Sequence, residues 1–208
     1  DLEHWQTPAF IDTEPYELVS QSQSEAVFTH TATVSNRYGA TFKVKIDRKI
    51  RLNVSPDSIL GGLSTAKIVD YVSENTVTNV GDAPWTKDTG LLSIWILGMF
   101  CPSPETTVVI PFRPGSEIEL GPKVNDVYFG KVPEDKLKVC DSVLFFSGDG
   151  TYRSKIGIGP KRALEVLGSY TPSENKLTLV QYNKPERAAD YVNSMWEIQE
   201  HPFAGDVV

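Results

Sequence analysis

Five side chains suit ligand chemistry by type and placement: His30, Arg48, Arg153, Trp196 and Glu197. A guanidinium forks onto hydroxyls or a carboxylate through two directed hydrogen bonds. A carboxylate beside an indole suits a sugar, because the acid accepts hydroxyl hydrogen bonds while the ring stacks on C–H faces. Trp196-Glu197 offers that pair, and Arg153 sits at a loop edge after the Gly148-Asp149-Gly150 turn. Each has a plainer reading. Alternation along 191–199 turns Trp196 inward and Glu197 to solvent, and Arg153 alone is a solvated strand-end cation. Trp5, Trp85 and Trp95 take the same discount, since tryptophan belongs in cores more often than on ligand platforms.

His30 and Arg48 interrupt a pattern. Over residues 41–54, Phe42, Val44, Ile46, Ile50, Leu52 and Val54 fall on one face of a strand, and Arg48 is a cation among them. Lys43, Lys45, Asp47, Lys49, Arg51 and Asn53 fall on the other. The preceding run places Ala26, Phe28, Ala32 and Val34 on one face with His30 among them. Period-two alternation means half-buried strands, and Ser35-Asn36-Arg37-Tyr38-Gly39 is their turn. Pairing Ala32 with Ile46 would set His30 directly opposite Arg48, and a shorter turn would stagger them. A buried cation is costly unless paired or kept wet. The two side chains therefore form a satisfied core pair or line a pocket, with the readings evenly balanced.

Other constellations fail. Gly157-Ile158-Gly159-Pro160 lacks the spacing and the parallel setting of a phosphate loop, and no G-x-S-x-G elbow is present. Cys101 and Cys140 are in no metal-ligand spacing and are expected to be buried free thiols. The three histidines lie too far apart for a zinc signature. No metal or cofactor is expected.

The elements that must position these residues are strands. Further candidates are 67–79, 91–100, 106–112, 126–129, 142–147, 152–158, 163–170, 177–182 and 192–199, separated by turns such as Gly81-Asp82-Ala83-Pro84 and Pro172-Ser173-Glu174-Asn175. Short helical turns are expected from Ser55-Pro56-Asp57 through Leu63 and at 133–137. Many short strands at near-regular spacing predict an all-β antiparallel sandwich or barrel. At 208 residues the chain supports one substantial core, read here as one domain over 1–208. A net charge of −7 and a pI near 5.0 disfavour nucleic acid and anionic membranes. The longest apolar run, Leu91 to Cys101, falls short of the ~20 residues that span a bilayer. A start at Asp1 and a strand-like end at Val208 suggest a processed form or an excerpt, and leave the compartment open between bacterial periplasm and cytoplasm.

Motifs add a resemblance. Asp47-Arg48-Lys49-Ile50-Arg51-Leu52, followed by Asn79-Val80-Gly81-Asp82-Ala83-Pro84 and then the apolar run 91–100, resembles the galactose mutarotase-like superfamily. That superfamily runs an R-x-I strand into an N-x-G-D-x-P turn. Trp95-Ile96-Leu97-Gly98-Met99-Phe100, Tyr128-Phe129-Gly130-Lys131-Val132-Pro133, 148–157 and 191–197 resemble, more narrowly, an uncharacterised bacterial family of Bacteroidetes type assigned to it. The resemblance implies a β-supersandwich with a carbohydrate-facing groove, here incomplete at both ends. It also implies kinship with aldose 1-epimerases and with sandwich domains of glycoside hydrolases and polysaccharide lyases. An epimerase flanks the anomeric centre with an acid histidine and a base glutamate. This chain departs from that pattern. The strand after the turn carries no histidine, and the chain stops before the usual place of the base. The expectation is therefore a carbohydrate-binding protein, with Arg48, Arg153 and Trp196 on the ligand. An epimerase or lyase-like enzyme using His30 as acid and Glu197 as base is the alternative, and a structural domain of a larger glycan-processing protein is the third reading.

Overall fold

The computed structural model describes residues 6–36, 38–53, 66–187, 189–193 and 200–207. The chain forms two compact units, Asp1–Ile96 and Leu97–Val208. Each contains one open antiparallel sheet, so the described protein is all-β with neither sheet closed into a barrel. The helix expected from Ser55 through Leu63 lies outside the described residues, as do Trp5, Trp196, Glu197 and most of the 192–199 strand.

The first sheet has the order β1-β2-β3-β4, with β1 at Glu17–Gln21, β2 at Glu25–Ser35, β3 at Thr41–Leu52 and β4 at Tyr71–Asn79. The alternation read from sequence sets its register: Ser35 pairs with Thr41, and the ladder runs unbroken to Glu25 opposite Arg51. Asn36 organises the turn, its Oδ1 accepting from the Tyr38 and Ala40 N–H groups at 3.0 Å each. Gly39 supplies the positive φ of 83° that a β-carbon would resist. The N-x-G-D-x-P turn after β4 has an equally local cause. Asn79 Oδ1 accepts from Gly81 N–H at 3.0 Å while its Nδ2 donates to the Ala83 carbonyl at 2.8 Å.

Coverage of the apolar face fades along β3. Phe42 and Val44 are buried, and Trp85 meets Phe42 edge-on at 6.2 Å. Ile46 and Ile50 are half-buried, whereas Arg48 and Leu52 are exposed. On the outer face, Asp47 accepts from Thr29 Oγ1 at 2.7 Å and pairs with Lys45 at 3.0 Å, while Lys49 reaches Glu74 at 3.3 Å.

The second sheet has the order β6-β7-β5-β8-β9. Its strands are β5 (Thr107–Pro111), β6 (Leu137–Val139), β7 (Val143–Ser147), β8 (Val166–Thr171) and β9 (Lys176–Gln181). Its core gathers Ile110, Phe112, Leu144, Ile158 and Ala163. Arg162 is fully buried beside it. Its guanidinium donates to the carbonyls of Gly121 (2.8 Å), Arg113 (2.9 Å) and Gly115 (3.2 Å), closing the loop that carries the one-turn helix Glu117–Leu120.

Several expectations are corrected. Residues 91–100 form no strand, and Ile94, Trp95, Ile96, Leu97, Met99 and Phe100 are all more than half exposed. The run has β composition, but a strand exists through pairing, and it pairs with none of the described strands. The discount applied to Trp95 as a core residue fails for the same reason. Residues 126–129 and 152–158 make single bridges only, Tyr128 with Gly130 and Asn125 with Gly157. They lack sustained alternation. Over 133–137 a single turn forms, with Lys136 and Leu137 N–H both donating to the Pro133 carbonyl, before the chain enters β6. Cys101 and Cys140 are free, but Cys101 is exposed and Cys140 half-buried.

Candidate functional site

β2 and β3 bring His30 and Arg48 onto one sheet face. Ala32 pairs with Val44 rather than Ile46, so His30 stands opposite Ile46 and Arg48 opposite Phe28, one step apart along the diagonal. Such diagonal neighbours lie within side-chain reach. On its other side Arg48 faces Asn75 of β4, whose amide donates to Ser73 Oγ at 2.9 Å.

The segment before β1 folds over this face. A one-turn helix at Ala9–Asp12 starts from the Pro8 carbonyl, and Tyr16 follows Pro15. The His30 ring is stacked with Tyr16, at 4.8 Å and 17°, and with Phe10, at 6.5 Å and 3°. Its Nε2 is closed off from solvent and, among the described residues, makes no hydrogen bond, with a Glu14 carboxylate oxygen 3.4 Å away. Burial pushes the Tyr16 phenol up, and the Arg48 cation beside it works in the opposite direction. Arg48 therefore meets the cost of a cation on an apolar face by staying wet. Among the described residues no carboxylate pairs with it.

An open groove adjoins the histidine, floored by Thr31, Thr33 and Ser35 and walled by Pro8, Phe10 and Glu14. It exists because β1 pairs with β2 only as far as Thr29.

Arg153 belongs to the second unit and makes a different cluster. Its guanidinium lies 4.4 Å from the Phe129 ring centroid, and Lys155 Nζ lies 3.9 Å from that of Tyr128. The two rings meet edge to face at 4.6 Å. The Asn125–Gly157 bridge aligns the two segments, and Asn125 Nδ2 donates to Asp206 at 3.1 Å. Gly157 allows that approach, since a β-carbon there would fall 2.2 Å from Asp206 Oδ2. Burial pushes the Asp206 carboxyl up, against the Asn125 hydrogen bond and the Lys155 charge. Burial also pulls the Lys155 ammonium down, against Asp206.

Of the sequence-predicted site residues, His30 and Arg48 come together, Arg153 stands in the other unit, and Trp196 and Glu197 lie outside the described residues. Sequence reasoning missed Phe10, Glu14 and Tyr16, which reach His30 from another segment. It also missed Lys155, although two cations two residues apart and an adjacent aromatic pair were a usable signal. Among the described residues no group of three or more His, Cys, Asp or Glu side chains is placed to hold a metal ion.

The protein is thus an all-β chain of two open antiparallel sheets, with a polar pair set into one apolar face. The model of the family of unknown function DUF6786 matches residues 1–208, and the chain belongs to that family. No curated protein and no solved structure matches it.

Proposed function

We propose that the protein binds carbohydrate on the His30–Arg48 face as a mutarotase-like sandwich protein. One observation carries the reading: polar planar groups stand on an apolar, aromatic floor. The Arg48 guanidinium is exposed beside the Tyr16 phenol and opposite the Asn75 amide, with Phe28 across from it on β2 and Ile46 two residues earlier on its own strand. A pyranose needs apolar surface for its C–H faces and convergent donors and acceptors for its hydroxyls. The competing reading, a solvated strand cation beside a core histidine, needs no ligand. The motif resemblance to the mutarotase-like superfamily tips the balance.

Saturation-transfer NMR against neutral mono- and oligosaccharides tests this, with α/β anomer exchange followed in the same tubes. Binding without faster exchange fits a recognition domain, and silence across the panel overturns the proposal in favour of a structural role. Accelerated exchange would make it an epimerase. One feature favours that second reading: among the described residues the buried His30 Nε2 makes no hydrogen bond, and the Glu14 carboxylate at 3.4 Å is the group that faces it. With His30 as acid and Glu197 as base, Glu197→Gln keeps binding and loses turnover.

A further inference from the structure

The face that carries His30 and Arg48 is electrically one-sided. Residues opposite one another in the register share a face. By that rule Arg48 is the only lysine, arginine or carboxylate side chain that β2, β3 and β4 place on this side of the sheet. It is exposed, and among the described residues it joins no ion pair and no ring contact. The carboxylate that the segment before β1 brings to this face, Glu14, meets His30 Nε2 at 3.4 Å instead. Burial raises the Tyr16 phenol, and the Arg48 cation is close enough to work against it.

Exposure leaves the Arg48 charge to be solvated by water. A ligand that covers the face removes that water, and a cation stripped of water is costly unless an opposite charge replaces it. The hydroxyls of a neutral sugar replace it only in part, whereas a carboxylate forms charge-assisted hydrogen bonds about twice as strong. We infer that the sugar this face prefers is an acidic one, a uronate whose carboxylate pairs with Arg48. The inference rests on the saccharide reading of the same face and names its substrate class. Glu14 sets the direction: a ligand carboxylate at the His30 end would meet a like charge, so the acid belongs at the Arg48 end.

Calorimetric titration of the full chain with galacturonate, its methyl ester, galactose and acetate tests it. The ester keeps the ring and removes the charge. Galacturonate should bind about tenfold or more tighter than the ester or galactose, with a margin that shrinks as salt rises. Acetate should bind far more weakly, having no ring to cover the apolar floor. Arg48→Gln should bring acid and ester to equal affinity, and Arg48→Lys should restore part of the margin, because charge returns without the planar fork. Galacturonate binding alone, lost in Arg48→Gln, supports the inference and narrows the saccharide reading to acidic sugars. Equal affinity of acid and ester in the parent protein, a margin that survives Arg48→Gln, or acetate binding as tight as galacturonate overturns the inference. Equal affinity of the acid, its ester and galactose, all weakened in Arg48→Gln, leaves the saccharide reading standing, whereas no binding by any of the three sugars takes both down.

Discussion

His30 and Arg48 interrupt the same apolar face and are accommodated in opposite ways. The imidazole is roofed by Tyr16 and Phe10, and the guanidinium is left in water. Because Arg48 is exposed and makes no ion pair among the described residues, Arg48→Ala should change stability by no more than about 0.5 kcal/mol. Its saccharide affinity should nevertheless fall about tenfold, a split that thermal unfolding and titration read separately. Arg162 is the contrary case. Arg162→Met leaves the carbonyls of Arg113, Gly115 and Gly121 without their donor in a buried site, at a cost of about 3 kcal/mol. Chemical denaturation measures that loss, and a change under 1 kcal/mol would contradict the clamp. Both polar intrusions were legible in the sequence because period two exposes any exception. Arg162 was not, since nothing in Gly159-Pro160-Lys161-Arg162 marks a cation whose acceptors lie more than 40 residues away.

The elements that sequence reveals best are those whose pattern and partner are both local. β2 and β3 alternate cleanly and join through a turn that Asn36 holds with its own side chain. β1 escaped notice because it is short, exposed throughout and bulged between Leu18 and Ser20. The 91–100 run misled for the opposite reason, carrying strand composition without a partner. Two predictions belong to elements. Gly168 of β8 faces the Thr178 carbonyl of β9, which a β-carbon would approach to 2.5 Å. Gly168→Ala should therefore destabilise the sheet by about 1–3 kcal/mol, seen as a lower denaturation midpoint.

The turn after β7 gives a pH dependence. Lys136 donates to Asp149 at 2.5 Å, and the Thr151 N–H and hydroxyl donate at 3.0 and 2.9 Å, holding the Asp149 carboxyl well below the usual carboxylate range. A carboxyl lowered on folding stabilises the fold fully above its unfolded pKa, and that contribution is lost as pH falls through the folded value. Asp149→Asn should lower Tm at neutral pH and shrink its gap to the parent protein in acid. A constant gap would contradict the assignment.

At the scale of the whole molecule, composition and turn spacing were enough for the all-β class, because open antiparallel sheets are written in alternation and punctuation. The division into two units, each with its own sheet, was not legible, since no linker-like segment separates them. Among the described residues no helix is long and apolar enough to cross a membrane. Along the run from Ile94 to Phe100, Ile94, Trp95, Ile96, Leu97, Met99 and Phe100 are each more than half exposed.

The central claim is that the His30–Arg48 face recognises sugar. Saturation-transfer NMR of the parent protein and Arg48→Ala, side by side with the same neutral saccharides, tests it most directly. Sugar C–H signals should appear in the parent and fade in the variant while its fold is retained. Equal signals in both proteins, or none in the parent, would contradict it.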